Sequence, residues 1–381
     1  MIFSAAKTLT TRTTLIGPIT VEKRREIRAM LDFFGDSNLV ALFGLGGGIL
    51  LGLAARLGRF CTLGAIEDLL YGGSDQRMRM WVLAIGGAIF GSFALIGSGL
   101  LEPELSFYFS IRWMPLASII GGLMFGYGMA LAGNCGYGAI ARLGGGDLRS
   151  FVIVLVMGVS AYVILAGPLA PLRNWLFPQI DVTSSVPPGL AHYAADFTGW
   201  PVHWIGMGVG LAVMIGALSG ASLRSDPKAI FWSLVVALAV VSGWGGSQWI
   251  YTNGFDGLQV VSHSFSAPVG ESIVWAMSGS VRPLSFAVGS VAGVWLGAFI
   301  GSSIKGHFRW EACEDPRELR RQILGAAIMG FGAIIAMGCT IGQGTTAMSL
   351  LAISAPVTLL AILAGAALGL RQLIEGFQIA E

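Results

Sequence analysis

Apolar runs about twenty residues long, separated by short polar or Gly- and Pro-containing stretches, fill this chain from residue 39 to residue 370. A helix of about 20 residues crosses a hydrocarbon core of about 30 Å. Nine segments fit: Leu39–Leu57, Trp81–Leu101, Pro115–Ala132, Arg149–Ala170, Trp204–Ser222, Ala229–Gly246, Leu284–Ile304, Gln322–Met337 and Ala355–Leu370. Their interiors carry almost no charge, and Arg56 and Arg149 lie at ends. The runs do not alternate apolar with polar residues, as barrel strands would. The pattern predicts an all-α polytopic membrane protein with nine transmembrane helices. Small residues such as Gly44, Gly48, Gly52, Gly206 and Gly210 suit close helix packing, which hydrophobicity cannot drive inside a bilayer.

Four further segments are too short to cross: Phe60–Leu70, Gly136–Leu143, Phe265–Ala276 and Thr340–Ile353. Each begins with small or capping residues and reads as helix. They are either re-entrant half-helices dipping towards the membrane centre or ordinary surface turns; irregular backbone at membrane depth needs a cavity or a protein surround. As half-helices, their N-terminal amides would present partial positive charge to an anion.

A shift of 204 residues aligns the stretch from Ile119 to Gly138 with that from Ile323 to Gly342 at seven identical positions, among them Gly121/Gly325, Gly128/Gly332 and Cys135/Cys339. Chance in a Gly- and Ala-rich stretch gives roughly two, so the repeat is taken as real. The same shift sets Cys61 opposite Phe265 and Glu67 opposite Glu271. Each repeat holds four spans and two interruptions. Five spans separate their starts, so the repeats are expected to be inverted, the arrangement of many transporters. The expected organisation is an amphipathic tail (1–38, with a surface helix over Thr20–Phe34), repeat 1 (39–170), a loop and linker helix (171–228), repeat 2 (229–372) and a C-terminal tail (373–381). The N-terminal tail lacks a signal-peptide core, so no cleavage is expected.

Composition narrows the class. Of 381 residues, 54% are hydrophobic and 12% charged, and mean hydropathy is +0.74; soluble domains carry about 25% charge. This excludes a soluble globular enzyme, a disordered chain and a nucleic-acid binder with a basic patch. The net charge of +2 gives no bulk attraction to an acidic partner. On alternating loops, 14 of the 23 Lys and Arg fall on the side of the odd loops and the C-terminus. The positive-inside rule then predicts an outside N-terminus and a cytoplasmic C-terminus in the inner (plasma) membrane.

Three of the four Cys sit at the interruptions: Arg59-Phe60-Cys61, Gly133-Asn134-Cys135 and Met337-Gly338-Cys339. A single Cys in a membrane helix is usually a small buried apolar residue, but three at equivalent breaks point to function. Lined along a path, weak S–H donors suit a soft sulfur-containing anion held loosely at several sites. Cys313 lies in a charged loop and is expected to be incidental. The four Cys make neither a disulfide scaffold nor a zinc cluster, and the four His lack ligand or nucleophile spacing. No Walker motif is present, so neither ATP-driven transport nor a bound cofactor, metal or catalytic activity is expected.

These motifs, the Gly-x-Gly helices before Cys135 and Cys339, and nine spans with four short helices resemble the YeeE/YedE family over roughly Leu39–Leu370. Its members are membrane transporters of sulfur compounds, with thiosulfate uptake the best-defined activity. The resemblance implies an hourglass-shaped helical protein whose short helices meet at a constriction. It assigns a thiosulfate relay to Cys61, Cys135 and Cys339, and a cytoplasmic TusA-like sulfur carrier as partner. The fourth break, Ser264-Phe265-Ser266, has no Cys. The chain departs from the family by its long N-terminal tail, its extended Arg173–His203 loop, and Asn134 and Tyr137 beside the second Cys.

Supporting residues follow from position. Arg59 either draws an anion to the mouth or snorkels to the interface. Glu67 and Glu271 either pair with Arg59, Arg142 or Arg282 or cap backbone amides. Asn134, Thr340 and Gln343 either donate to sulfonate-like oxygens or satisfy the broken helices. Phe265, Gly133 and Gly338 shape the breaks. Two other classes compete with a transporter: a membrane sulfur-transfer or thiol-redox enzyme using the same Cys covalently, and a soft-metal carrier, for which paired ligands are lacking.

Overall fold

The computed structural model describes residues 34–178, 187–312 and 315–376. The expected surface helix over Thr20–Phe34, apart from Phe34, and Cys313 lie outside the described residues. In chain order the helices are α1 (Asp36–Leu57), α2 (Thr62–Leu70), α3 (Gln76–Gly97), α4 (Pro115–Ala132), α5 (Gly136–Gly144), α6 (Leu148–Leu165) and α7 (Ala170–Leu176). They continue with α8 (Leu190–Thr198), α9 (Val202–Leu218), α10 (Pro227–Asn253), α11 (Ala267–Ser278), α12 (Phe286–Ile304), α13 (Pro316–Ile335) and α14 (Ser354–Glu375). Between α13 and α14, residues 340–349 are helical around a π-helical segment, Gly342–Ala347. Among the described residues there are no strands, only three isolated bridges.

The starts follow local chemistry. Asp226 accepts from the amides of Lys228 and Ala229 ahead of Pro227, and Asp147 and Asp315 cap α6 and α13 in the same way. A short side-chain oxygen satisfies the free N–H groups of the first turn, and Pro at N1 lacks the N–H that would go unpaired. Seven of the helices, α1, α3, α4, α6, α10, α12 and α14, are long and apolar enough to cross a membrane. The other two expected spans are also helices. α9 is apolar but has 17 residues, and the first turns of α13 carry Arg317, Glu318, Arg320 and Arg321.

Packing comes in matched sets. α1 lies on α12 as α3 lies on α10; α4 lies on α14 as α6 lies on α13; and α4 and α13 lie on each other. Glycines set the closeness of the central pair. A Cβ on Gly121 would stand 2.5 Å from the Ala336 nitrogen, and one on Gly332 would stand 2.4 Å from the Phe125 nitrogen. Gly128 meets Gly325 likewise, so the two helices cross antiparallel with backbone against backbone.

Hydrogen bonds sort the connections into two groups. At one end Asp36 accepts from Phe255 and Asp256, Gln248 from Glu102, Gly342 from Tyr108 and Leu351 from Leu190. At the other end Gln76 donates to Asp226, Ser222 to Asp75, Lys305 to the Arg56 carbonyl, Leu148 to Glu311 and Tyr71 to Glu375.

Candidate substrate pathway

The three site cysteines share a backbone device. Each follows by two residues a position in the left-handed region: Arg59 (φ 54°), Gly133 (φ 78°) and Met337 (φ 56°). That residue ends the preceding helix, and the chain then turns so that the Cys precedes a new short helix. Cys61 is the N-cap of α2, Cys135 the N-cap of α5, and Cys339 stands immediately before the helical stretch 340–349. Gly adopts this conformation freely, whereas Arg59 and Met337 adopt it at a cost of about 1–2 kcal/mol each. Strain of this kind clusters at functional sites.

The thiols take hydrogen bonds from the helix starts. The Gly138 amide donates to Cys135 Sγ and the Gly342 amide to Cys339 Sγ, both at 3.4 Å. Cys339 Sγ also accepts from the Phe265 amide at 3.4 Å, across the break that lacks a Cys, and lies 3.8 Å from Ser264 Oγ. Cys135 and Cys339 belong to one buried cluster, each 1% exposed, and Cys61 packs against it, partly exposed. Cys135 is within electrostatic reach of both other thiols, and the Thr340 side chain lies beside it. All three cysteines are free.

Cavities flank this cluster. One of about 300 Å3 reaches Cys61, Asn134 and Gly138, and is walled by Arg56, Arg59, Arg77, Arg142 and Glu67. The other, of about 240 Å3, is lined by Tyr108, Ser262, Ser264, Ser266, Met337 and Gly338, next to Cys339, and by Arg173, Glu271 and many apolar side chains. The Cys61 mouth is basic. Lys305, just beyond α12, has a pKa below its ordinary value, first through burial and then through the charges of Arg59 and Arg56.

The expected site residues divide. Arg59 is exposed in the wall of the Cys61 cavity. Asn134 is buried with Oδ1 unpartnered, and the Thr62 and Ser266 hydroxyls at the tips of α2 and α11 are likewise buried and unpartnered. Gln343 serves the broken helix: its amide nitrogen donates to the Ala336 and Met337 carbonyls at 3.1 and 3.0 Å. Both amide protons are thereby used, leaving none for an anion. Among the described residues Glu67 and Glu271 form no ion pair; Glu271 accepts from Ser285 instead. The Phe265 ring lies against Tyr137, centroids 5.5 Å apart. No cluster of metal-holding side chains occurs among the described residues.

Sequence reasoning assigned no specific contact to three residues. Tyr137 is buried and donates to the Leu51 carbonyl at 2.6 Å, tying α5 to α1. His263, one of the four His without ligand spacing, is fully buried on Ser290 Oγ at 2.7 Å, and its carbonyl accepts from Thr346. Arg173, in the extended loop, reaches into the cavity beside Cys339. Only an unusual charge or aromatic close to a span marked them in the sequence.

Residues 57–368 match the family model described as sulphur transport. This chain belongs to that family, the YeeE/YedE sulfur transporters. The thiosulfate transporter TsuA of Escherichia coli K12 is 28% identical over 320 residues, covering 80% of this chain and 86% of the relative. The TsuA of Spirochaeta thermophila is 26% identical over 318 residues, covering 81% and 91%. The probable transporter YedE of E. coli K12 is 29% identical over 183 residues, covering 44% of this chain and 43% of that protein. The family and its apolar helices make this chain a multi-pass membrane transporter of sulfur compounds.

Proposed function

We propose that this chain takes up thiosulfate through a line of three thiols, in the order Cys339, Cys135, Cys61. The observation that carries this reading is the shared device: three thiols at short-helix starts, in and against one buried cluster, between two cavities. Weak S–H donors and helix-start amides hold an anion loosely enough to release it, which conduction requires. The substrate is named after the TsuA relatives. Our reading of the membrane architecture is nine crossings formed by an inverted repeat, with α2, α5, α11 and the 340–349 helix as re-entrant half-helices. The antiparallel crossing of α4 with its repeat mate α13, the matched packing pairs and the two groups of connections support it. With the N-terminus outside the inner membrane, the Cys339 cavity faces outward. The basic Cys61 mouth then faces the cytoplasm, where a TusA-like sulfur carrier receives the sulfur.

The test is uptake of radiolabelled thiosulfate into proteoliposomes, with growth on thiosulfate as sole sulfur source in a transport-deficient host. Cys→Ala at Cys61, Cys135 or Cys339 abolishes uptake, while Cys→Ser keeps part of it, because a hydroxyl still donates. A persulfide or S-sulfonate found by mass spectrometry on any of the three during turnover overturns the non-covalent relay in favour of sulfur transfer.

A further inference from the structure

Arg173 lies in α7, where the chain leaves α6, and its side chain is only 7% exposed. Nε and Nη2 donate to Oδ1 of the adjacent Asn174, at 3.2 and 2.8 Å, and Nη1 is buried with no partner. Among the described residues no carboxylate pairs with it. Burial lowers its pKa, yet a guanidinium stays protonated in proteins. A buried cation without a counter-charge is unfavourable unless something anionic comes to it.

Arg173 lines the cavity of about 240 Å3 that also takes in Met337 and Gly338, adjacent in sequence to Cys339. The same wall presents Ser266, whose hydroxyl is buried and unpartnered, whereas Ser262 is committed to the Val240 carbonyl at 2.7 Å. Glu271 also lines the cavity; it accepts from Ser285 and, among the described residues, forms no ion pair with Arg173. We infer that Arg173 is the oxyanion-recognition residue of the Cys339-side cavity, selecting a small tetrahedral anion by charge and fork geometry before it meets the first thiol. A planar guanidinium matches two oxygens of such an anion, whereas a Lys ammonium acts as a point charge. The anion replaces the missing carboxylate, and the free Ser266 hydroxyl supplies a further donor. The inference rests on the proposed pathway only in treating this cavity as its entrance.

The experiment uses the full chain, with Arg173→Gln and Arg173→Lys. Thiosulfate uptake is measured as a function of concentration in proteoliposomes. Binding of thiosulfate, and separately of sulfate, to the detergent-solubilised protein is measured by calorimetry. Loss of one charge-assisted pair raises the half-saturation concentration of Arg173→Gln about 10-fold or more. Its maximal rate falls much less, and Arg173→Lys recovers part of the affinity. Unchanged half-saturation in Arg173→Gln overturns the inference, as does a lost maximal rate at unchanged affinity with a lowered melting temperature. If the wild type binds sulfate through Arg173 but does not carry thiosulfate, the thiosulfate reading fails and the anion site stands. A wild type that binds neither anion overturns both.

Discussion

Gln343 is the residue at which a structural and a substrate-binding role give opposite results on mutation. Its side chain is fully buried, and its amide nitrogen spans the Ala336 and Met337 carbonyls just past the end of α13. Its Oε1 accepts from Ser354 Oγ at 3.4 Å, tying the break to α14. In Gln343→Ala both carbonyls lose their donor, the Ala336 carbonyl in a buried site and the Met337 carbonyl in a part-buried one. A buried unsatisfied polar group costs about 1–3 kcal/mol, so the two together cost about 2–6 kcal/mol, reduced where a chain still in the bilayer or the cavity's water supplies other partners. In Gln343→Glu an acceptor faces two acceptors at nearly the same volume, and the cost is at least as large. A loss of that size lowers the melting temperature of a 381-residue chain by about 2–8 °C. The assay pairs thermal unfolding of purified variants, followed by size-exclusion chromatography, with thiosulfate uptake normalised to folded protein. The expected result is a large fall in melting temperature for both variants, with half-saturation little changed in whatever folded protein remains. Gln343→Ala at wild-type melting temperature but with a raised half-saturation concentration would refute the reasoning and put Gln343 in contact with the anion.

Two further outcomes are expected. Compartment reporters fused to the two termini should give opposite signals, with the C-terminus cytoplasmic; like signals would exclude an odd number of crossings. Asp75, outside the spans, has its carboxyl pKa lowered first by the Ser222 hydroxyl and then by Arg79. A carboxylate with a depressed folded-state pKa stabilises above its ordinary value, and that contribution is lost as pH falls through the folded value. Asp75→Asn should therefore flatten the decline in melting temperature on the acid side of the ordinary carboxylate range, and an identical acid decline in both proteins would argue against it.

Period and length made the helices legible. An apolar run of about twenty residues in lipid can satisfy its backbone only as helix, and all nine expected spans are helices. The four short helices were visible too, because small or capping residues and Gly stand where each preceding run stops. Cys135 and Cys339 could be matched by position alone, since the repeat keeps Gly at the spacing that lets α4 and α13 touch. The rest depended on which parts of the chain meet in space. The left-handed turns at Arg59 and Met337 carry residue types with no preference for that conformation, so only the packed break imposes them. That Phe265 brings its amide to Cys339, or that Gln343 spends both protons on a broken helix, follows from three-dimensional neighbours 74 and 7 residues away in sequence. Arg173 illustrates the same division. In sequence it is one cation at the head of a Pro- and aromatic-rich loop, whereas in the fold it is a buried charge in the wall of the Cys339-side cavity. A residue's chemistry is local, but its burial and its partners are set by the elements packed around it, and those elements decided the site.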